Sequence, residues 1–239
     1  MGENGAATSG SNQAGDHATR LTLAVMGCGA RGQGFADWIA RHPDAARVVA
    51  VADPCLERRD LIGDRHNVPA EFRFNSWEEL LARPRFADLA INTLMDQLHV
   101  GAGVAALELG YHMLLEKPMA VTLADCIAID EARRRNDRIV SVCHSLRHHP
   151  TFWGSSPGSE IIEIPPDGEG THDGCDDQIM EALVRAVREN DPSLVLTGTA
   201  ESLRTHTVTF AAELARREGR IVEVGELRRS GETKSMTGD

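Results

Sequence analysis

Residues 21–34 read LTLAVMGCGARGQG, and this stretch predicts the fold. It begins with a run of apolar residues, which is typical of a parallel strand that is buried on both faces. Three glycines follow with the spacing G-x-G-x-x-G, and a helical pattern begins directly after them. A strand, a glycine turn and a helix in this order are typical of a dinucleotide-binding unit. An ordinary strand-turn-helix without a ligand is the alternative.

The three glycines have different physical roles in such a turn. Gly27 allows the chain to turn sharply, Gly29 allows the backbone to approach a pyrophosphate, and Gly32 allows the helix to pack closely on the strand. Ala30 and Arg31 lie in the first turn of the helix, where free N–H groups and the positive end of the helix dipole favour phosphate. We therefore expect these five residues to contact a dinucleotide.

A second strand is predicted at residues 47–52, and Asp53 follows it at once. A carboxylate at this position accepts hydrogen bonds from the ribose hydroxyls and repels a 2′-phosphate, so it favours NAD over NADP. Arg58 and Arg59 lie nearby and weaken that preference, which leaves NADP open. The alternative role for Asp53 is to cap the next helix.

Strands and helices then alternate as far as residue 142. Further strands are predicted at residues 86–93, 111–115 and 138–142, and helices at residues 30–41, 76–83, 97–109 and 122–136. Right-handed crossovers between such strands predict an α/β fold with a doubly wound parallel (Rossmann) sheet. The glycine turn, Asp53, Thr93 and Glu116-Lys117 all follow strands, so they belong to the carboxyl edge of the sheet, where ligands bind.

The chain divides by composition into four parts. Residues 1–19 are predicted to be a disordered tail, residues 20–150 an NAD(P)-binding Rossmann domain, residues 151–225 a reduced C-terminal α/β part, and residues 226–239 a polar tail. Within the third part we expect strands at 160–164 and 220–224 and helices at 176–190 and 200–217.

Composition limits the classes of function. The 239 residues are 41% hydrophobic and carry a net charge of −11, which supports a packed core and argues against a nucleic-acid partner. The sequence shows no apolar run long enough to span a membrane and no signal peptide at its start, so we expect a cytoplasmic protein without a membrane partner. The five cysteines lack any C-x-x-C spacing and indicate free thiols. The spacing of histidines and cysteines fits no standard zinc site, so no metal is expected.

Four stretches of sequence resemble one protein family. They are GCGARGQG, AVADP, ALELGYHMLLEKPMAVT and VCHSLRHHP, which lie between residues 21 and 152. Together they are similar to the glucose–fructose oxidoreductase, inositol dehydrogenase and MocA (Gfo/Idh/MocA) oxidoreductases, and the segment ending in Glu116-Lys117-Pro118 is the most specific part.

The resemblance implies an NAD(P)-dependent oxidoreductase that acts on a sugar, a polyol or a related small molecule, in a chain that can form homo-oligomers. The lysine of the family's E-K-P motif corresponds to Lys117, which would bind the reacting oxygen and assist proton transfer, next to the cofactor and Glu116. The alternative is that Lys117 only pairs with a carboxylate at the end of its strand. Arg147, near the same edge, is a candidate for contact with substrate or nicotinamide.

The loop after residue 92 departs from the family pattern. Family members have Thr-Pro and then His there, with the Thr-Pro backbone on the cofactor. Holding His99 in register places Leu94 and Met95 in the Thr-Pro positions, so Thr93 and Leu94 are expected beside the cofactor. His99 either holds this loop or is an ordinary surface or capping histidine.

The larger departure concerns the second domain, in which family members carry an Asp and a His about four residues apart that work with the lysine. No such pair is found here, and residues 151–170 leave room for only one or two strands. Three hypotheses therefore stay open: an oxidoreductase, a nucleotide-binding module without turnover, and an NAD-dependent glycosidase. Whether the chain is an enzyme is not decided by its sequence.

Overall fold

The computed structural model describes residues 20–148 and 174–230. The strands are β1 (Leu21–Met26), β2 (Ala46–Ala52), β3 (Arg73–Phe74), β4 (Leu89–Asn92), β5 (His112–Leu115) and β6 (Val140–Val142). The helices are α1 (Ala30–Arg41), α2 (Leu56–Arg65), α3 (Trp77–Leu81), α4 (His99–Glu108), α5 (Leu123–Arg135), α6 (Cys175–Glu189), α7 (Thr199–Glu218) and α8 (Val224–Ser230). Short 3₁₀ turns lie at Ala70–Phe72, Asp96–Leu98, Ser145–His148 and Pro192–Leu194.

The strands form one six-stranded sheet in the order β3-β2-β1-β4-β5-β6, and every pairing is parallel. The chain winds outward from β1 in one direction and then returns to continue from β1 in the other. Ligands bind at such a switch point, outside the carboxyl ends of the strands. The glycine turn between β1 and α1 lies at this point, so the predicted doubly wound sheet is confirmed.

Side chains of β1 alternate between two layers of core because successive residues of a strand point to opposite faces. Leu23 and Val25 pack with the large side chains of α1 and α6. Ala24 and Met26 pack on the other face with α3 and α4. Helix α5 extends this second layer over β5 and β6. The sheet is thus covered on both faces, as its apolar strands require.

The helices of the C-terminal part pack on the Rossmann sheet and its helices. Helix α6 joins the core beside α1, where Ile179, Met180 and Leu183 are fully buried. Helix α7 lies against α5, and the Thr199 hydroxyl at its start donates to the buried Asp130 carboxylate at 2.6 Å. The predicted helices over 176–190 and 200–217 are therefore confirmed within a residue or two, while the domain boundaries stay predictions.

One predicted strand is wrong. Residues 221–223 are irregular, and helix α8 begins at Val224, so the expected polar tail from residue 226 is helical as far as Ser230. Gly219 ends α7 with a positive φ of 63°, and Arg220 then binds Glu218 and Glu226 across a compact turn. The neighbouring sheet edge is already occupied, because the Val142 N–H donates to the Thr197 carbonyl at 2.9 Å.

Several predictions fall on residues that lie outside the described part of the chain. These are the tail at 1–19, the strand at 160–164 and the last residues of the polar tail, 231–239. Among the described residues, no helix combines the length and the apolar character that crossing a membrane requires.

Candidate functional site

The glycine turn has the backbone geometry of a phosphate cradle. Gly27 has a φ of 94°, and a Cβ there would lie 2.5 Å from the Thr93 carbonyl oxygen. A Cβ on Gly32 would lie 2.0 Å from the Gly27 carbonyl oxygen. A Cβ on Gly29, in contrast, would meet no atom within 4 Å. The chain is tightly packed at the first and last glycines and open at the middle one, which leaves the room that a pyrophosphate needs at the start of α1.

Asp53 lies beside this turn and is buried. Its carboxylate accepts hydrogen bonds from the backbone N–H groups of Cys28 at 2.7 Å and Cys55 at 2.8 Å. It therefore ties the glycine turn to the residue that precedes α2. Cys55 is the N-cap of that helix and no side chain within the described residues caps its N–H groups, so Asp53 is not the capping residue considered from the sequence. A carboxylate oxygen can accept more than one hydrogen bond, so acceptor capacity for ribose hydroxyls remains.

The loop after β4 is held against the glycine turn from the other side. The Thr93 hydroxyl donates to the Gly27 carbonyl oxygen at 2.7 Å. His99 is fully buried, with Nδ1 2.8 Å from the Pro118 carbonyl oxygen and Nε2 3.1 Å from that of Leu94. Whichever nitrogen carries the proton, this ring lies between the loop and the Glu116-Lys117-Pro118 segment. Its position favours the loop-holding role over that of a surface histidine.

Arg31 joins three parts of the chain at the floor of the site. Its guanidinium forms an ion pair with Glu116 at the end of β5 and a two-pronged ion pair with Asp176 at 2.7 and 3.0 Å. Asp176, in the first turn of α6, also accepts the Ser145 hydroxyl at 2.7 Å. Burial, followed by the charge of Glu116, raises the pKa of the adjacent Cys143 thiol, so this cysteine is neutral.

A cavity of about 620 Å³ extends from this ion-pair cluster across the carboxyl edge of the sheet. Its lining includes Arg31, Thr93, Leu94, Glu116, Lys117 and His144. Lys117 is exposed to the cavity, and no carboxylate of the described residues lies within ion-pair distance of its amine. Glu116, the neighbouring carboxylate, is already engaged with Arg31. The alternative of a lysine that only pairs at the strand end therefore has no support among these residues.

Two histidines, His144 and His206, line a cavity together with Lys117. His144, directly after Cys143, also lines the first cavity, and its buried Nε2 has no hydrogen-bond partner among the described residues. Burial, with the positive charges of His206, Arg147 and Lys117, lowers the pKa of His144 to about 4, so its ring is neutral at pH 7.

His206 comes from α7, and its ring centroid lies 5.9 Å from that of His144. Its Nε2 accepts the Met119 N–H at 3.0 Å, and its Nδ1 lies 2.8 Å from the Ser202 carbonyl oxygen. Both nitrogens are therefore occupied, and the ring fixes the segment after Lys117. A second cavity of about 460 Å³ lies between this segment and α7 and includes Phe210.

Residues 21–144 match the family model GFO_IDH_MocA, described as an oxidoreductase family with an NAD-binding Rossmann fold, and this match covers more than half of the chain. The chain belongs to this oxidoreductase family. Its Gly turn, Asp53 and Lys117 all lie within the matched residues, so the resemblance read from the sequence is confirmed and the cofactor class is NAD(P).

Individual relatives in the Gfo/Idh/MocA family match the same region. Inositol 2-dehydrogenase of Salmonella typhimurium is 29% identical over 118 residues, which is 49% of this chain and 34% of that protein. An uncharacterized oxidoreductase of Rhizobium meliloti is 29% identical over 126 residues, 53% of this chain and 35% of that protein. The chain thus spans about a third of the length of the curated relatives that it matches.

A solved structure supports the fold of the same region. The WlbA dehydrogenase from Bordetella pertussis, determined in complex with NADH and UDP-GlcNAcA, superposes with a TM-score of 0.51 at 23% identity. The superposition covers 55% of this chain and 39% of that one.

The structure brings most of the predicted site residues of this family member to one edge, from the glycine turn to Lys117. Arg147 also lines the cavity, where it pairs with Glu201 at 2.8 Å. No group of three potential metal ligands suits a metal ion within residues 20–148 and 174–230, and His149 and His172 lie outside those ranges.

Sequence reasoning missed the partners that come from α6 and α7. Asp176 and His206 lie far along the chain from the motifs that they contact. A signal for His206 did exist, since it stands three residues after Leu203 and four before Phe210 on the apolar face of α7. A histidine on such a face indicates a buried polar contact.

Proposed function

We propose that the chain is an NAD(P)-dependent oxidoreductase that transfers hydride between the nicotinamide cofactor and a small sugar- or polyol-like substrate. One observation carries the proposal: a single cavity begins at the glycine turn's Arg31 and the Thr93-Leu94 loop and reaches Lys117. A dinucleotide held at the turn and a substrate held at the lysine would share that space. Inositol 2-dehydrogenase, a relative over this region, supports the substrate class.

The residues that would hold the cofactor are Gly27, Gly29, Ala30, Arg31 and Gly32 at the phosphates, Asp53 at the ribose, and Thr93, Leu94, Glu116 and Lys117 along the cavity. His99, expected from the sequence beside the cofactor, is fully buried and does not line the cavity, so it would act only by holding the Leu94 loop in place. When bound, the nicotinamide supplies the hydride acceptor or donor. Asp53 favours NAD over NADP, since a carboxylate repels a 2′-phosphate.

Lys117 is the proposed acid/base group. Its ammonium has no carboxylate partner among the described residues, so its N–H groups are available to a substrate oxygen. In the reducing direction the ammonium would donate a proton to the carbonyl oxygen as negative charge develops there, and the neutral amine remains. In the oxidising direction the neutral amine would accept the proton of the substrate hydroxyl and become the ammonium.

His144 is the proposed hydrogen-bonding group for the same substrate. Its ring is neutral, its buried Nε2 has no hydrogen-bond partner within residues 20–148 and 174–230, and it lines the cavity beside Lys117. An unsatisfied buried nitrogen is unfavourable, so a substrate hydroxyl that bonds it gains binding energy. His144 would thus provide, beside Lys117, a substrate contact of the kind that the family resemblance assigns to residues of the second domain.

The experiment is a calorimetric titration with NAD and NADP, followed by a panel of polyols and sugars monitored by NADH absorbance. We expect NAD to bind, and Asp53→Asn, which keeps one carbonyl acceptor for the turn, to weaken binding by about tenfold or more. We expect Lys117→Met to keep most of its NAD binding, since the contacts at the glycine turn and at Asp53 remain. The variant should lose turnover by about 10²–10⁴-fold, the usual contribution of a general acid or base.

The outcomes separate the three hypotheses. Cofactor binding without NADH formation on any substrate would contradict the oxidoreductase and support a nucleotide-binding module. Release of sugar from glycosides without net NADH would support an NAD-dependent glycosidase. Failure to bind either cofactor would contradict all three.

A further inference from the structure

A further cleft, separate from the two cavities near Lys117, lies at the opposite edge of the sheet, where the strands begin. It has a volume of about 760 Å³, and five arginines line it together with Thr22, Asp88 and His112. We call this cavity the arginine cleft. Its arginines are Arg20, Arg47, Arg85, Arg138 and Arg188. They come from separate parts of the chain, and the parallel strands bring them together because all strands start at this edge.

Backbone carbonyl groups hold four of these guanidinium groups in place. The contacts are Arg20–Pro43 at 3.1 Å, Arg85–Gly110 at 2.9 Å, Arg138–Gly110 at 3.3 Å and Arg188–Ala45 at 2.8 Å. A carbonyl oxygen orients a guanidinium without neutralising its charge. The cleft therefore presents fixed N–H donors with their positive charge intact.

Carboxylates do not neutralise this cleft. None of the five arginines forms an ion pair with a residue in 20–148 or 174–230, whereas elsewhere Arg73 pairs with both Asp60 and Asp64. Asp88 is the carboxylate in the lining, and its Oδ2 accepts the backbone N–H of Thr22 at 2.8 Å and its hydroxyl at 2.7 Å. The five arginines thus concentrate positive charge in this cleft, although the net charge of the chain is −11.

The pKa of His112, which lines the cleft, is affected by the charges of the arginines. Its pKa is lowered to about 4, first by burial and then by the charges of Arg138 and Arg85, while Asp88 and Asp137 act in the opposite direction. Its Nδ1 accepts the Ile139 N–H at 3.0 Å, so the ring is held in place. The cationic effect of the arginines exceeds that of the nearby carboxylates at this ring.

We infer that the arginine cleft binds a small multivalent anion, one that carries phosphate groups or several carboxylates. Guanidinium groups match both kinds of oxyanion with paired N–H donors. Several that are already oriented lose little conformational entropy on binding. The volume is within the range of small-ligand sites. This site lies at the other edge of the sheet from the glycine turn and is independent of the proposed hydride transfer.

A nucleic acid is the other polyanion to consider. The chain's net charge of −11 opposes a long polyanion, because distant phosphates would meet a negative surface. A small anion is confined to the cleft and avoids that repulsion. A short DNA duplex is therefore included among the probes.

The test uses the full chain with inorganic pyrophosphate and with citrate as probes, and follows the His112 ring signals by NMR. Pyrophosphate can also bind at the glycine turn, and the His112 signal separates the two sites. We expect at least one probe to shift this signal, to raise the pKa of His112 toward its ordinary value, and to bind more weakly as salt increases. Response to pyrophosphate alone would assign phosphate groups, and response to citrate alone would assign carboxylates.

Charge-removing variants complete the test. Arg47 is exposed and makes no hydrogen bond among the described residues, so Arg47→Gln leaves the fold intact; combined with Arg188→Gln it should weaken binding at least tenfold. Arg185→Gln, on the same helix as Arg188 but paired with Glu189, removes the same charge outside the cleft and should have no effect.

Three results would overturn the inference: no His112 response to either probe, equal affinities in the Arg47→Gln/Arg188→Gln double variant and in Arg185→Gln, or binding of the DNA duplex alone. The Asp53→Asn variant keeps the His112 response if the two sites are independent. Failure of cofactor binding and failure of anion binding are thereby distinguishable.

Discussion

At the scale of single residues, two glycines of the same turn differ in whether a side chain would fit. Gly32 has the Gly27 carbonyl oxygen against it, whereas Gly29 opens onto free space. Both are glycines of the same motif, yet the packing of α1 on the sheet requires only Gly32, and the open space at Gly29 is where the proposed cofactor site would place a pyrophosphate. Substitution by alanine separates the two roles.

We predict that Gly32→Ala lowers the free energy of unfolding by about 1–3 kcal/mol, because a Cβ 2.0 Å from a backbone oxygen forces the helix away from the strand. Gly29→Ala should change stability by no more than about 0.5 kcal/mol and should weaken NAD binding. Denaturant unfolding and calorimetric titration of both variants are the measurements. A Gly32→Ala protein as stable as the parent would show that the turn is looser than described.

The sequence located these residues well because each follows a strand in a repeating pattern. Gly27, Asp53, Thr93 and Lys117 reach one edge by the topology of a parallel sheet alone. The partner of Arg31 was not predictable in the same way. Asp176 follows Arg31 by 145 residues, and its contact depends on where α6 docks rather than on any local pattern.

At the scale of elements, α6 is attached to the two ends of α1 by two adjacent carboxylates with different surroundings. Asp176 is buried and binds Arg31 and Ser145. Asp177 binds Arg41 at 2.8 Å in a more exposed position. Ion pairs at exposed positions contribute little, whereas removal of one partner from a buried pair leaves an unpaired charge.

We predict that Asp176→Asn destabilises the protein by about 2 kcal/mol, less than for a fully buried pair because Arg31 keeps Glu116 as a partner. Asp177→Asn should cost at most about 1 kcal/mol. Thermal and denaturant unfolding of the two variants give the comparison, and equal effects would contradict a buried tether at α6.

The predicted strand at 220–224 shows where local pattern fails for an element. The sequence RIVEV has the alternation and the β-branched residues of a strand. A strand also needs a free neighbour, and Thr197 occupies the edge of β6. Strand formation depends on a neighbouring strand with free backbone groups, and the five residues do not encode whether the fold supplies one.

At the scale of the whole molecule, several histidines are held neutral by the fold. The pKa values of His112 and His144 are lowered to about 4, in both cases first by burial, and burial also lowers the pKa values of His66 and His148. Unfolding exposes these rings, and they then bind protons near their ordinary pKa of 6.5. The unfolded state therefore takes up more protons than the folded state in this range.

We predict that the contribution of these histidines to the free energy of unfolding is fully present above about pH 6.5 and is lost as the pH is lowered toward about 4. Paired carboxylates such as Glu213 lose their stabilising effect only as the pH falls below about 4.5. The loss of stability between about pH 6.5 and 4.5 therefore reports on the histidines. His112→Asn, which keeps an acceptor for the Ile139 N–H, should show a shallower slope in denaturant unfolding. A flat profile, or equal slopes, would be inconsistent with neutral buried rings.

The two edges of the sheet offer few free backbone groups to another chain. On one side β3 has only two residues, and on the other the Thr197 carbonyl already accepts the outward N–H of β6. Exposed strand edges act as templates on which a second chain can add, and short or covered edges prevent such growth. A short edge strand at one side and an engaged N–H at the other leave little template for a further strand in the described sheet, so edge-to-edge aggregation of the folded protein is disfavoured.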